Sequence, residues 1–542
     1  MSSKPFAITL DVGSSLANHT GSWRTMRPEY VSRLAPCGGA CPAGEDPQRW
    51  LFYAEEKNYR AAWEQIMAHN PFPAIMGRAC YHPCETACNR AKLDEPVSIH
   101  AVERFLGDLA IREGFRVEVS APPSGKRVLV IGAGPSGLSA AYHLRRMGHA
   151  VVVRDAGPKP GGMMRYGIPQ YRLPRDVVDA EIDRIVALGV ELQCNQKVDD
   201  VLDAMNKGGF DACFAAIGAH LAKRVDIPAL DAARVLDAVT LLRTFEGQGT
   251  LPSLGRRVAV YGGGDTALDV ARTAKRLGAE PILIYRRTEA RMPAHASEVR
   301  EAREEGVLMR WLSTITRFDE GGIVVERMVL GDDGRPRPTG EFETIAANTL
   351  VLALGQDVDL SVLQRVPGVA VEGGMVRTDE NLMTGYPGLF AGGDMVPAER
   401  TITTAVGHGR RAAQSIDAYL RGAAVTRSPE RELATFEKLN PWYYTDADRT
   451  VQPVLDAARR ASTFAEVHGG LDASTALFEA RRCLSCGNCF ECDNCFGMCP
   501  DNAIAKLGPG KGFAVKLDFC KGCGICAAEC PCGAIRMVPE AG

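Results

Sequence analysis

The middle of the chain alternates two hydrophobic rhythms. Short apolar runs closed by glycine read as strands, and the stretches after them, apolar at every third or fourth position, read as helices. RVLVIGAGPSGLSAAYHLRRMGHAVVVRDAG, from Arg127 to Gly157, gives strand, glycine turn, helix and strand. RRVAVYGGGDTALDVARTAKRLGAEPILIYRRTEARMPA, from Arg256 to Ala294, repeats that frame. FDACFAAIGAH lies between the two and TLVLALGQDVD follows the second. Each reads as an apolar strand ending in a small-residue turn, where the chain would cross between two nested domains. A last strand at GLFAG runs into Gly392-Gly393-Asp394, and a helix begins near Thr403.

The flanks differ. Arg27 to Val119 reads mostly as helices, as in PQRWLFYAEEKNYRAAWEQIMAHN and PVSIHAVERFLGDLAIREG, and the linker SAPPSGK ends that part. Arg427 to Ala480 is charged and reads as a mostly helical arm, with Pro441-Trp442-Tyr443-Tyr444 as its anchor on a neighbouring domain. The expected organisation is α/β: a helical segment over 1–125, one Rossmann-like domain over 126–252 and 353–425, a second over 253–352, a helical linker over 426–480, and a small α+β module over 481–542.

Composition narrows the classes. At 46% hydrophobic residues the 542-residue chain can fill several cores, and a net charge of −3 with dispersed basic residues leaves no nucleic-acid footprint. No run approaches the roughly 20 apolar residues of a membrane span, and Met1 to Arg24 has no apolar leader core, so a cytoplasmic location is expected. Most of the 18 cysteines fall in two tight groups, as metal sites rather than disulfides require.

The C-terminal group is the more explicit. Cys489-x-x-Cys492-x-x-Cys495-x-x-x-Cys499-Pro500 recurs as Cys520-x-x-Cys523-x-x-Cys526-x-x-x-Cys530-Pro531, the bacterial ferredoxin spacing for two [4Fe-4S] clusters. In that pattern the fourth cysteine serves the other cluster, so Cys489, Cys492, Cys495 and Cys530 hold one, and Cys520, Cys523, Cys526 and Cys499 the other. A zinc ribbon would not need the Cys-Pro repeat. The pattern is complete without Cys483, Cys486 and Cys532, which are expected to be non-ligands. The N-terminal group, Cys37, Cys41, Cys80, Cys84 and Cys88, suffices for one cluster.

Each glycine turn has dinucleotide spacing. Gly132-x-Gly134-x-x-Gly137, with Pro135 and Ser136 opening the helix, would set a pyrophosphate on the helix N-terminus. Asp155, 23 residues beyond Gly132, would accept from a ribose hydroxyl. In the second turn, Gly262-x-Gly264-Asp265-Thr266-Ala267, the equivalent position is Tyr285, followed by Arg286 and Arg287. Arginines there suit a 2′-phosphate and favour NADPH, with NADH possible; solvated surface charge is the alternative. Gly393, Asp394 and the helix near Thr403 would complete the first site.

A nicotinamide gives up two electrons as hydride and an iron–sulfur cluster takes one, so a flavin must stand between them. The first site is therefore assigned to FAD and the second to NADPH. A disulfide reductase would need a redox cysteine pair, but no cysteine lies between Cys213 and Cys483, and Cys194 and Cys213 read as isolated core residues. No general acid or base is expected, because hydride transfer needs positioning of the two rings.

In this order GRACYHPCETAC, PVSIHAVERF, VLVIGAGPSGLSAA, GGMMRYGIPQYRLPRDVV, YGGGDTALD, YRRTEARMPA and AGGD resemble the small, β subunit family of NADPH-dependent glutamate synthase, over roughly Arg27 to Leu420. The ferredoxin part looks like a C-terminal fusion. The resemblance implies that Gly161-Gly162 through Pro169, with Met163, Tyr166, Gly167 and Ile168, lies along the flavin. It also implies an N-terminal cluster on Cys41, Cys80, Cys84 and Glu103, with Cys88 as a competing fourth ligand. Only Cys37 precedes Cys41, so one N-terminal cluster is expected, with Cys37 and Cys88 left over or lending one ligand. The expected activity is transfer between NADPH, FAD and clusters to or from a ferredoxin or partner redox subunit in a hetero-oligomer. A glutamate synthase β subunit proper and an electron-bifurcating transhydrogenase subunit are the alternatives.

Overall fold

The computed structural model describes residues 19–20, 24–223, 225, 227–229, 234–245, 253–427 and 429–540. Most of the Met1 to Arg24 stretch, and the boundary drawn at 252, lie outside the described residues.

Two five-stranded parallel sheets form the centre. The first has the order Leu389–Ala391, Ala212–Ala215, Arg127–Ile131, Ala150–Arg154, Glu191–Gln193. The second has the order Leu308–Arg310, Glu280–Ile284, Arg257–Tyr261, Thr349–Leu352, Arg234–Asp237. Both central strands are buried almost throughout because both faces of each sheet are covered, in the second sheet by helices on one side and by the antiparallel strands Ser313–Asp319 and Gly322–Leu330 on the other, which is why they read as unbroken apolar runs. The first sheet takes its edge strand Leu389–Ala391 from beyond the second, so one domain is inserted in the other. At the crossing, Leu221–Ala222 pairs antiparallel with Gln356–Asp357. The mixed α/β architecture expected from the pattern is the one observed.

Helix Pro135–Arg146 packs on helix Ile402–Arg421, and Gly409 permits the approach: a Cβ there would lie 2.2 Å from the Ser136 carbonyl oxygen. In the N-terminal segment helices Pro73–Ala79 and Ile99–Arg112 cross equally closely. A Cβ on Gly77 would meet the Arg104 backbone nitrogen at 2.5 Å, and one on Gly107 the Ala74 nitrogen at 2.3 Å.

Three features depart from the expected organisation. Strand Met26–Tyr30 pairs antiparallel with Ile535–Pro539, so the start of the helical segment completes the C-terminal module. Strand Arg234–Asp237 and helix Ala238–Phe245 belong to the second nucleotide domain, since that strand pairs with Thr349–Leu352. The arm over 426–480 has little helix, with short turns at Phe436–Lys438 and Pro441–Tyr443 and helices Ala457–Arg460 and Ala473–Arg481. Charge pairs hold it instead: Arg449 bonds Glu85, Arg460 bonds Glu304 and His468 bonds Glu301. Its anchor is not Trp442, which is 85% exposed. Asn440 bonds Pro531 and Ala528, and the Tyr444 hydroxyl donates to the Leu484 carbonyl. Cys213 is buried as expected, whereas Cys194 is only half-buried. No helix among the described residues is long and apolar enough to cross a membrane.

Candidate active site and metal centres

The first glycine turn opens a cleft of about 400 Å³ at the C-terminal ends of the first sheet. Gly132, Gly134, Pro135, Ser136, Asp155, Gly162, Met163, Tyr166, Gly393 and Asp394 all line it. The three glycines divide the work. Gly132, at φ +103, makes the turn; a Cβ on Gly134 would touch only the Gly162 α-carbon, at 3.9 Å; and Gly137 lets the helix sit on the strand, since a Cβ there would lie 1.9 Å from the Gly132 carbonyl oxygen. Both Asp155 oxygens brace the loops, accepting from the amides of Ala133 and Gly157 at 2.7 Å each. The Ser136 hydroxyl at the helix start is buried and has no hydrogen-bond partner among the described residues, as a group reserved for a phosphate oxygen would be. Asp394 is half-buried, and the loss of solvent raises its carboxyl above the usual range.

Other expected cleft residues fall elsewhere. Gly167 packs under Met163. Ile168 lines a separate cavity with Pro169, Arg175 and Leu242. Thr403 does not line the cleft: the helix begins at Ile402 with Thr401 as its cap, and Thr403 is buried on the side that faces Cys80. Its hydroxyl donates to Cys80 Sγ at 3.0 Å, so Thr403 belongs to the N-terminal cysteine group. Conversely Lys197, His220 and Asp359 from loops, and Arg243 from helix Ala238–Phe245, line the cleft, and none of them lies in a motif.

In the second turn a Cβ on Gly263 would lie 2.4 Å from the Tyr285 ring, whereas nothing lies within 4 Å of the one that Gly264 lacks. The open space at Gly264, the N-cap of helix Asp265–Arg276, is where a pyrophosphate fits. Ala267 is buried beneath the turn and Thr266 is half-buried beside it. Asp265 accepts from the His295 amide at 2.9 Å and contacts its Nδ1 at 3.0 Å. The His295 ring in turn stacks on Tyr81, next to Cys80, with centroids 3.3 Å apart. Arg286 is exposed, Arg287 is half-buried, and neither enters an ion pair among the described residues.

Cys41, Cys80, Cys84 and Glu103 face one another. Burial raises the thiols of Cys41 and Cys84 first, and each then feels Cys80 and Glu103; Cys80 itself is pushed up to about 12. Glu103 is buried, accepts from Asn70 Nδ2 at 3.0 Å, and is raised well above the carboxylate range by burial and then by Glu45. Three thiols and a carboxyl with charges suppressed by burial make a donor set suited to a cationic core.

Cys88 is not the fourth member. It lies with Cys37, Cys483 and Cys486 around a different cavity. That grouping joins residues about 450 positions apart, which no local spacing announces.

In the C-terminal module Cys499 shares a cavity with Cys520, Cys523 and Cys526, while Cys489, Cys492 and Cys495 influence one another and Cys530. Cys499 thus lies beside the second run and Cys530 beside the first. This pseudo-twofold extends to the backbone: the amide four residues on donates to the last sulfur of each run, Ala503 to Cys499 at 3.3 Å and Ala534 to Cys530 at 3.2 Å. Cys489, Cys492 and Cys523 are exposed.

Nested parallel-sheet domains, each with a dinucleotide turn and flanked by thiol groups without disulfides, define a flavin- and nicotinamide-dependent oxidoreductase that carries electrons onward singly. The chain belongs to the pyridine nucleotide-disulphide oxidoreductase family, whose profile matches residues 126–409, and residues 31–115 match the 4Fe-4S domain II of dihydropyrimidine dehydrogenase. It is an FAD- and iron–sulfur-dependent NAD(P)H oxidoreductase. Similar proteins include the NADP(+)-dependent formate dehydrogenase subunit beta of Moorella thermoacetica, 38% identical over 83% of this chain and 70% of that one. The NADPH-Fe(3+) oxidoreductase subunit beta of Geobacter sulfurreducens is 33% identical over 85% and 77%. The NAD-dependent dihydropyrimidine dehydrogenase subunit PreT of Escherichia coli is 34% identical over 72% and 92%.

Proposed function

We propose that this chain is the nicotinamide-side electron subunit of a hetero-oligomeric redox enzyme, exchanging electrons between NADPH and a partner subunit or ferredoxin. The observation that carries this is the placing of the sites in series: the nicotinamide turn contacts His295, His295 stacks on Tyr81 beside Cys80, and Cys80 is bonded by Thr403 from the helix that also lines the flavin cleft through Ala405. FAD bound in that cleft supplies the conversion of a two-electron hydride into single electrons. The chain's own part is to orient the two rings, to hold the thiols of the N-terminal donor set away from water, and to present the two ferredoxin sets near the surface. Similar proteins named as beta subunits support a partner, and the exposed Cys489, Cys492 and Cys523 put the ferredoxin module where one can reach it. The ordered glutamate-synthase-like motifs support a second reading, as a β subunit of that enzyme.

Arg286 and Arg287 are the proposed 2′-phosphate contacts. In anaerobic reductive titrations, Arg286→Ala/Arg287→Ala should raise KM for NADPH by about 10- to 100-fold, as expected for lost charge-assisted bonds, and leave NADH turnover unchanged. Equal loss with both nucleotides would remove the NADPH assignment. Reduction of a low-potential ferredoxin by NADPH, with no glutamine-dependent activity when a glutamate synthase α subunit is supplied, separates the first reading from the second.

A further inference from the structure

Cys37, Cys88, Cys483 and Cys486 line one buried cavity together with Leu51 and Val97. All four are free thiols. Cys37 opens a short helix after Pro36, Cys88 follows the helix Pro83–Thr86, and the other two come from the segment that leads into the ferredoxin module.

We propose that these four cysteines are the ligands of a further [4Fe-4S] cluster, held half by the N-terminal helical segment and half by Cys483-x-x-Cys486. It is additional to the three donor sets described above.

The local geometry matches the ferredoxin sites in three independent respects. The first is size: the cavity volume is about 20 Å³, the same as that of the one lined by Cys499, Cys520, Cys523 and Cys526. The second is the backbone of the Cys-x-x-Cys turn. In both ferredoxin runs the residue before the second cysteine has a left-handed conformation, Glu491 at φ +58 and Gly522 at φ +71. Ser485, in the same position before Cys486, has φ +48. A residue other than glycine adopts that conformation only where its surroundings impose it. The third is the presence of donors to sulfur: the Ser485 amide donates to Cys483 Sγ at 3.4 Å and Asn89 Nδ2 to Cys486 Sγ at 3.4 Å, the kind of bond that accompanies cluster thiolates.

A single zinc ion fits less well. Thiolates about 2.3 Å from zinc stand about 3.8 Å apart in a tetrahedron. Among the described residues only His82, Glu85 and His100 bring three ligand atoms all within 4.8 Å of one another, so the four sulfurs are spread too widely for one ion, as the ferredoxin sulfurs also are. The site also has a place in the series. Cys41 lies one helical turn from Cys37, about 6 Å along the axis. Cys486 and Cys489 are three residues apart and so at most about 11 Å between α-carbons. The Gly487 amide donates to the Cys532 carbonyl at 2.7 Å and ties this site to the neighbouring ferredoxin set. A cluster here fills the gap between the N-terminal donor set and the ferredoxin module.

The test is iron, acid-labile sulfide and zinc per chain on the full-length protein, isolated and reconstituted anaerobically. Wild type, Cys483→Ser/Cys486→Ser and Cys80→Ser/Cys84→Ser are compared, with FAD content as the measure of folding and Cys194→Ser as a control. The expected iron contents are about 16, 12 and 12 per chain, four irons leaving with each pair. Contents of about 12, 12 and 8 would overturn this inference while leaving the Cys41, Cys80, Cys84 and Glu103 set in place. Contents of about 12, 8 and 12 would instead remove that set and keep this one. One zinc per wild-type chain, lost in Cys483→Ser/Cys486→Ser, would also overturn it. Should that variant fail to retain FAD, the wild-type count of about 16 or 12, read with Cys80→Ser/Cys84→Ser, still decides.

Discussion

Gly264→Val separates the ligand role of a glycine from its folding role. Gly264 has φ −94 and ψ 172, an extended backbone that valine adopts readily, and nothing lies within 4 Å of the Cβ it would acquire. Folding stability should therefore change by no more than about 0.5 kcal/mol, as for substitutions away from packed features. The pyrophosphate, however, must pass through that space to reach the helix N-terminus. Two charge-assisted bonds lost there, at about 1.5–3 kcal/mol each, weaken NADPH by roughly 10² to 10⁴-fold. Anaerobic stopped-flow bleaching of the flavin by NADPH measures the loss, while dithionite reduction and a thermal melt check that clusters and fold survive. The same change at Gly137 would drive a Cβ to 1.9 Å from a carbonyl and should yield protein without flavin. NADPH reduction of Gly264→Val within about threefold of wild type, a difference under 1 kcal/mol, would refute the pyrophosphate placement.

Asp155→Ala removes the acceptor for the Ala133 and Gly157 amides and should release FAD on desalting while the ferredoxin iron stays, read from flavin absorbance against iron. Thr403→Val deletes the hydroxyl that donates to Cys80 Sγ. If that sulfur ligates a cluster, losing a bond of about 1.5 kcal/mol lowers its one-electron potential by roughly 60 mV, measurable in an EPR-monitored titration. Arg272→Met leaves Glu305 with Arg276 alone and takes a fully buried guanidinium from Glu298 and Glu301; breaking such a network costs about 3–5 kcal/mol and should show as an earlier urea transition with NADPH binding otherwise intact.

The sequence by itself determined whatever depends on short separations. Gly132, Gly134 and Gly137 sit within one turn and its helix, so their spacing already encodes which glycine bends, which stays open and which packs. The ferredoxin cysteines are equally local: each run contributes three ligands within seven residues, and the fourth follows from the repeat. Only the tertiary structure decided which cysteines share a cavity at the N-terminus. Cys84 and Cys88 are four residues apart, but the helix Pro83–Thr86 ends before Cys88, whose extended backbone carries it to different partners, Cys84 lying toward Cys80 and Cys41, and Cys88 toward Cys483 and Cys486. Thr403 likewise sits in a motif that reads as flavin-binding, but the cap at Thr401 sets the rotation of its helix and turns its hydroxyl to Cys80. Ligand grouping and helix rotation depend on packing between segments hundreds of residues apart, and no pattern along the chain carries that information.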